Sequence, residues 1–293
     1  MKRIIKKLFL KNPVGLLSGI ILVAYILIAI LAPFIAAPKP GRSPYEIPRD
    51  GFMVTPRGPS AEHWFGTAEG QYDIFYGVVW GTRTAFKIAG VVVSCGFLLG
   101  IAIGGVSGYF GGAVDEITMR ITDIFLSFPF LLAAMVLATV LGKGLVSMII
   151  ALVVFRWMTY ARLVRSEVLS LKQVTFVEGA RAIGASHTRI LVRHILPNCI
   201  YPALIQMSMD IGRVVMSASA LSFLGLGVEA GYADWGQLIS LARNWLLGGS
   251  RGAFEYWHTV VFPGGVLFLF VLSWNILGDA LRDVFDPRMR GVF

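Results

Sequence analysis

Apolar residues in this chain run in long unbroken stretches rather than in alternation. A helix needs about 20 such residues to cross the ~30 Å hydrocarbon layer of a bilayer. Six stretches come near that length: 14–36, 84–108, 117–141, 145–161, 195–226 and 259–281. A transmembrane barrel would show ten-residue segments of alternating polarity instead. The pattern therefore predicts an all-α integral membrane protein with six transmembrane helices. Segments three and four are joined only by Gly142-Lys143-Gly144, a tight hairpin opening outward. Arg156 interrupts the fourth segment near its end.

Composition supports this reading. The chain of 293 residues is 56% hydrophobic and 15% charged, with a mean hydropathy of +0.72. Soluble domains carry about 25% charged residues, and a soluble chain of this composition would expose large apolar patches. The net charge of +9 would suggest nucleic acid in a soluble protein; in a membrane protein its distribution is topological, and no nucleic-acid partner is expected. Lys2, Arg3, Lys6, Lys7 and Lys11 precede the first segment without an acid. Arg162, Arg165, Lys172, Arg181, Arg189 and Arg193 follow the fourth, and Arg282, Arg288 and Arg290 follow the sixth. The stretches before segments two and six mix both signs. Six crossings with both termini cytoplasmic satisfy the positive-inside rule. The organisation expected is a tail at 1–13, a first helix at 14–36, an extracytoplasmic loop at 37–83, a core at 84–281 with a cytoplasmic loop at 166–194, and a tail at 282–293. The first apolar run exceeds the 7–15 residues of a signal peptide and reads as a retained helix. The loop at 37–83, rich in Pro and Gly, should be irregular and ordered by packing on the helix ends.

The cytoplasmic loop holds a short helix over 174–183, with Thr175 as its cap and Gly184 ending it in the left-handed region. A second turn starts at Ser186, and Pro197 opens the fifth membrane segment, where its missing N–H is tolerated. By periodicity alone this is a solvated loop or a short rigid element between two membrane helices.

The same residues resemble a family. Glu178-Gly179-Ala180, three residues, Gly184, nine residues, His194, one residue and Leu196-Pro197 match the Glu-Ala-Ala loop of the membrane subunits of bacterial and archaeal ABC importers, with Gly179 and His194 departing from it. The chain looks like the smaller permease subunit of dipeptide/oligopeptide importers, a group that also handles nickel complexes and oligosaccharides. His63-Trp64-Phe65-Gly66-Thr67, Gly108-Tyr109-Phe110-Gly111-Gly112, Phe223-Leu224-Gly225-Leu226-Gly227 and Gly278-Asp279-Ala280-Leu281-Arg282-Asp283 extend the likeness. At an external turn that the family writes Gly-Thr-Asp-x-x-Gly-Arg-Asp, this chain has Ala68, Gln71 and Tyr72 at three places. The resemblance implies a cytoplasmic coupling helix between helices 4 and 5, with Glu178, Gly179, Ala180, Arg181 and Gly184 against an ATPase. It also implies a homologous second permease subunit, two ABC ATPase subunits and an extracytoplasmic substrate-binding protein around it in the lipid bilayer. Substrates would be di- or oligopeptides, with oligosaccharides or chelated nickel as alternatives.

Chemistry is otherwise sparse. No GxxxxGK[ST] loop occurs, so ATP and Mg belong to partner subunits and no cofactor is expected in this chain. No nucleophile–base pair and no paired carboxylates suggest an enzyme. The four histidines stand apart at no metal-ligand spacing, and Cys95 and Cys199 read as packing residues. Gly96, Gly100, Gly104, Gly108 and Gly112 form a stripe at spacing four, suited to close helix packing, either as a sliding or subunit contact or inside this subunit. Asp210, Arg213 and Ser217 lie mid-membrane in segment five. Charges there are costly, and they read as lining a translocation pathway or as a structural pair. Asp123 is expected to pair with Arg120, and Trp64, Trp80, Tyr256 and Trp257 to form an interfacial belt. The rival class is a channel or secondary transporter working without ATPases, which has no reason to carry the Glu178 loop; an export subunit is a further alternative.

Overall fold

The computed structural model describes residues 13–246, 252 and 254–285. Lys2, Arg3, Lys6, Lys7, Lys11, Arg251, Arg288 and Arg290, on which part of the charge argument rests, lie outside the described residues. The described chain is all-helical, with only isolated bridges such as Glu46 to Tyr232 in place of strands. Nine helices organise it: α1 Pro13–Ile35, α2 Ile74–Phe110, α3 Gly112–Leu126, α4 Phe130–Leu141, α5 Leu145–Leu171, α6 Thr175–Ala182, α7 Leu196–Phe223, α8 Trp235–Leu241 and α9 His258–Phe285. A single turn His187–Arg189 and a π-helical stretch Ile190–Ile195 link α6 to α7.

Four helices (α1, α2, α5 and α9) are long and apolar enough to cross a membrane, or five spans if α3 and α4 count as one broken pair. The 28-residue α7 is not among them, because Asn198, Gln206, Asp210, Arg213 and its serines dilute its apolarity. Segment three, expected as one rod over 117–141, is instead bent by 86° between α3 and α4. The break falls at Ser127-Phe128-Pro129: a proline removes a helix donor and pushes the preceding residue out of the helical region.

Helix α2 starts ten residues before the expected edge. Asp73 caps it, its carboxylate accepting from the Tyr76 N–H at 2.7 Å. Residues 74–83, assigned from composition to the external loop, are thus helical and bury Ile74, Tyr76, Val78, Val79 and Trp80. At 37 residues α2 is ~55 Å long by its 1.5 Å rise, well beyond a bilayer's apolar layer. Helix α5 likewise runs ten residues past its expected end at 161, so the loop expected at 166–194 begins in helix. Trp80 is not a belt residue; it is 2% exposed and donates to the Ala36 carbonyl at 2.8 Å. Trp64 is exposed.

The centre of the molecule is the crossing of α2 and α5. Gly96, Gly100, Gly104 and Gly108 back onto Arg156, Tyr160, Ala161 and Arg165 of α5. A Cβ at Gly104 would overlap the Ala161 backbone. These four glycines pack inside this chain, where small residues let two backbones meet. Gly112 does not belong with them: it sits in the α2–α3 turn at φ +55 with open space around it. Helix α1 lies outside this core, burying one face (Gly15, Ser18, Leu22, Tyr25, Ala32) and docking on α9 through the Tyr25 hydroxyl, which donates to the Val266 carbonyl at 2.6 Å.

Candidate functional site: a short helix under the bundle and a buried ion pair

The short helix α6 is seated by two residues three apart. Val177 and Ala180 are 0% and 5% exposed, packed among Tyr109, Val164, Val168, Ile190 and Leu191. Its end is a Schellman closure: Gly184, at φ +79, donates to the Arg181 carbonyl at 2.9 Å, and Ala185 donates to the Ala180 carbonyl at 3.0 Å. The sequence expectation for Gly184 is met. The expectation for Thr175 is not: Val174 occupies the cap position, with no side-chain bond, and Thr175 is the first helical residue. Of the expected contact residues, Glu178, Gly179, Arg181 and Gly184 are exposed, while Ala180 faces the core and offers no outward surface. The same outward side carries Phe176 and, at 86% exposure, Ile183. The two lie seven residues apart, two helical turns, on one face with Gly179. That apolar pair is legible in the spacing of the sequence.

Three contacts tie this region to the membrane helices. His187 Nδ1 lies 2.9 Å from the Tyr109 hydroxyl at the end of α2. The Lys172 ammonium donates to the Gly108 carbonyl at 3.1 Å. Arg165 grips Asp115 of α3 through Nε and Nη2 at 2.5 and 2.6 Å, and the Ser107 hydroxyl donates to the same carboxylate at 2.5 Å. These contacts join the residues flanking α6 to α2, and α5 to α3.

Along α7, Asp210 is fully buried and held by α5. It accepts from Arg156 Nε at 2.9 Å and from a second nitrogen of that guanidinium, and Gln206 donates to it at 2.9 Å. Asp210 thus does not line an open path in this chain. Its close partner is Arg156, 54 positions away, rather than Arg213. Arg213 stands 3.8 Å from the same carboxylate, and its side chain is 54% exposed. Ser217 spends its hydroxyl on the Arg213 carbonyl at 2.9 Å. Asp123 pairs with Arg162 of α5, and Arg120 pairs with Glu116 at 2.6 Å, not with each other: the α3–α5 approach brings a nearer partner than the helix itself.

In the irregular stretch before α2, His63 is clamped between two carboxylates, Nδ1 at 2.6 Å from Asp73 and Nε2 at 2.7 Å from Asp50. Burial lowers the affinity of the imidazole for its proton, but the two carboxylates outweigh it, and the pKa is raised above the ordinary histidine value. Among the described residues no three His, Cys, Asp or Glu side chains group as a metal site.

A bundle of long apolar helices with a short helix packed against their ends is the architecture of a multi-pass membrane protein. Residues 96–291 match the family described as binding-protein-dependent transport system inner membrane component, and residues 3–50 match the N-terminal TM domain of oligopeptide transport permease C. The chain belongs to this inner-membrane family and is a multi-pass membrane protein. It is 37% identical over 280 residues to a dipeptide transport system permease protein of Alkalihalophilus pseudofirmus, covering 96% of this chain and 88% of the relative. It is 35% identical over 282 residues to a probable D,D-dipeptide transport system permease protein of Escherichia coli (96% and 89%). A glutathione transport system permease protein of Pectobacterium atrosepticum is 34% identical over 282 residues (96% and 89%). In fold it is similar to a chain of the inward-facing MetNI methionine ABC transporter, with a TM-score of 0.56 at 20% identity over 73% of this chain and 98% of that one.

Proposed function

We propose that this chain is one permease subunit of an ATP-driven importer of small peptides, crossing the membrane six times with both ends in the cytoplasm. The observation that carries the reading is α6: a short helix with its exposed face free and its buried face, Val177 and Ala180, packed in one cluster with Tyr109 of α2 and Val164 and Val168 of α5. Relatives named for dipeptide and glutathione transport support the substrate class, ahead of oligosaccharides or chelated nickel. The topology rests on the basic residues that follow segments four and six and precede the first, with α7 as the crossing whose polarity is offset internally.

In this reading two cytoplasmic ATPases bind below, a homologous permease completes the pathway, and an extracytoplasmic binding protein delivers the peptide. ATP and Mg act in the partners. The exposed residues Glu178, Gly179, Arg181 and Gly184, with Phe176 and Ile183, receive the push. Tyr109–His187 and Lys172–Gly108 pass it to α2 and α5, and α2 and α5 move as one body because the glycine seam leaves no room for slip. The bond chemistry takes place elsewhere, so this subunit is no enzyme.

The test is reconstitution of the four-subunit complex with its binding protein in proteoliposomes. ATP-dependent peptide uptake is expected, with Glu178→Lys or Gly184→Pro leaving ATP hydrolysis running while uptake falls at least tenfold. Full uptake by both variants, or uptake by this chain without ATPases, overturns the reading.

A further inference from the structure

Resting on the peptide-importer reading, we infer that Arg213 is the carboxylate-binding residue of the translocation pathway, taking the C-terminal carboxylate of the migrating peptide. The argument starts from a charge count. Around Asp210 there is one carboxylate and two guanidiniums, from Arg156 and Arg213. Among the described residues no other acid comes within ion-pair distance of either arginine. The cluster thus carries one positive charge in excess within a membrane-spanning helix, where such charges mark a functional path or a partner.

The two arginines are unequally held. Arg156 is buried, with an 11% exposed side chain, bonded through two nitrogens to Asp210 and set over the Phe130 ring at 5.6 Å. Its donors are spent on structure. Arg213, at 3.8 Å from Asp210, is beyond hydrogen-bond length. It keeps its fork of N–H donors for another acceptor, while the nearby carboxylate keeps the guanidinium tolerable in an apolar layer. A residue that must take up an anion and release it again needs this loose hold. A fixed partner acid would call for the tight one seen at Arg156.

Arg213 also sits where a moving solute could meet it. Arg213, Met216, Ala220 and Leu224 recur at three- and four-residue intervals along one face of α7 and its C-cap, with Gln206 two turns before Arg213. Arg213, Met216 and Leu224 there are exposed, while the Gly212 side is closed by Val271 and Trp274 of α9. Asp210 lies on the same face but is buried, which leaves Arg213 as the charge this face exposes among the described residues. A planar guanidinium binds a carboxylate through two parallel hydrogen bonds, and a peptide carries one such group at its C-terminus. An oligosaccharide carries none there.

The assay uses the assembled complex with saturating binding protein and two probes, trialanine and trialanine amide. Arg213→Gln should lower ATP-driven uptake of trialanine about tenfold, the worth of one charge-assisted hydrogen bond, and of the amide at most twofold. Arg213→Lys should recover part of the trialanine rate. Equal losses on both probes, unchanged uptake of trialanine, or dissociation of the partner permease from the Gln variant each overturn the inference; the last identifies a partner acid as the true counter-charge. Wild-type complex that imports neither probe overturns the peptide reading itself, and this assignment with it.

Discussion

Replacing Asp210 by Asn removes one charge and little volume from the most buried ionic contact of the chain. Asp210 is 0% exposed and its partner Arg156 is 11% exposed, so solvent screens the pair weakly. Breaking a buried ion pair by deleting one member costs about 3–5 kcal/mol, because the other charge is left uncompensated. Asparagine retains some hydrogen bonding to Arg156 and Gln206, which places the expected loss near 3 kcal/mol, roughly 10 °C in midpoint for a chain of this size. The geometry also predicts an asymmetry. Arg156→Met leaves Asp210 with Arg213 only 3.8 Å away, able to close in as a substitute, so it should cost clearly less than Asp210→Asn. The double variant Arg156→Met/Asp210→Asn should recover part of the loss, Arg213 still lacking its counter-charge. The measurement is the thermal midpoint of the detergent-purified complex followed by size exclusion, read as a double-mutant cycle. An Asp210→Asn protein as stable as wild type, or a double variant no better than the single, would refute the pairing argument.

Three further outcomes follow from the packing and the loop. Gly104→Leu should destabilise by about 1–3 kcal/mol or more, because its side chain meets the Ala161 backbone, whereas Gly90→Leu, facing open space, should stay within about 0.5 kcal/mol in the same thermal assay. Ile183→Glu, at an 86% exposed position, should leave the fold's stability within about 0.5 kcal/mol yet reduce recovery of ATPase subunits on affinity purification several-fold; normal recovery removes the apolar face of α6 from the contact. The third concerns pH. A raised folded-state pKa at His63 stabilises the loop fully below the unfolded value of about 6.5 and loses that stabilisation as pH rises through the folded value. Hydrogen exchange of amides around residues 50–73 should therefore show protection that falls toward alkaline pH beyond the intrinsic base catalysis, and His63→Gln should abolish that extra dependence.

Much of the stretch before α2 is obscured by its own composition. Asp73 is a good N-cap, but the prolines and glycines upstream place the boundary past it at residue 84, and only the burial of Ile74, Tyr76 and Trp80 reveals the helix. Gln71 stands where the family has glycine and adopts φ +61, so the turn survives the replacement with its backbone in the left-handed region. Its side-chain nitrogen donates to the Thr55 carbonyl, and its side-chain oxygen is buried without a partner.

What the chain determines by itself is whatever depends on neighbours in sequence. Apolar runs measure partition between lipid and water, so five of the long helices were legible as rods. A glycine after a short helix and a proline at the next helix start are local backbone constraints, so the end of α6 and the opening of α7 were legible too. The 86° break at Pro129 was equally local, and hydropathy alone passes over it because proline hardly lowers an apolar average. Pairing is another matter. Arg156 with Asp210, Arg162 with Asp123 and Tyr109 with His187 join residues 39 to 78 positions apart. Hydropathy is blind to which helices cross, and the energy of a charge in a bilayer depends on its partner more than on its position. Only the tertiary structure, by pressing α2 onto α5 through four glycines, decided that Asp210 is a clamp and that Arg213 is the cation left over.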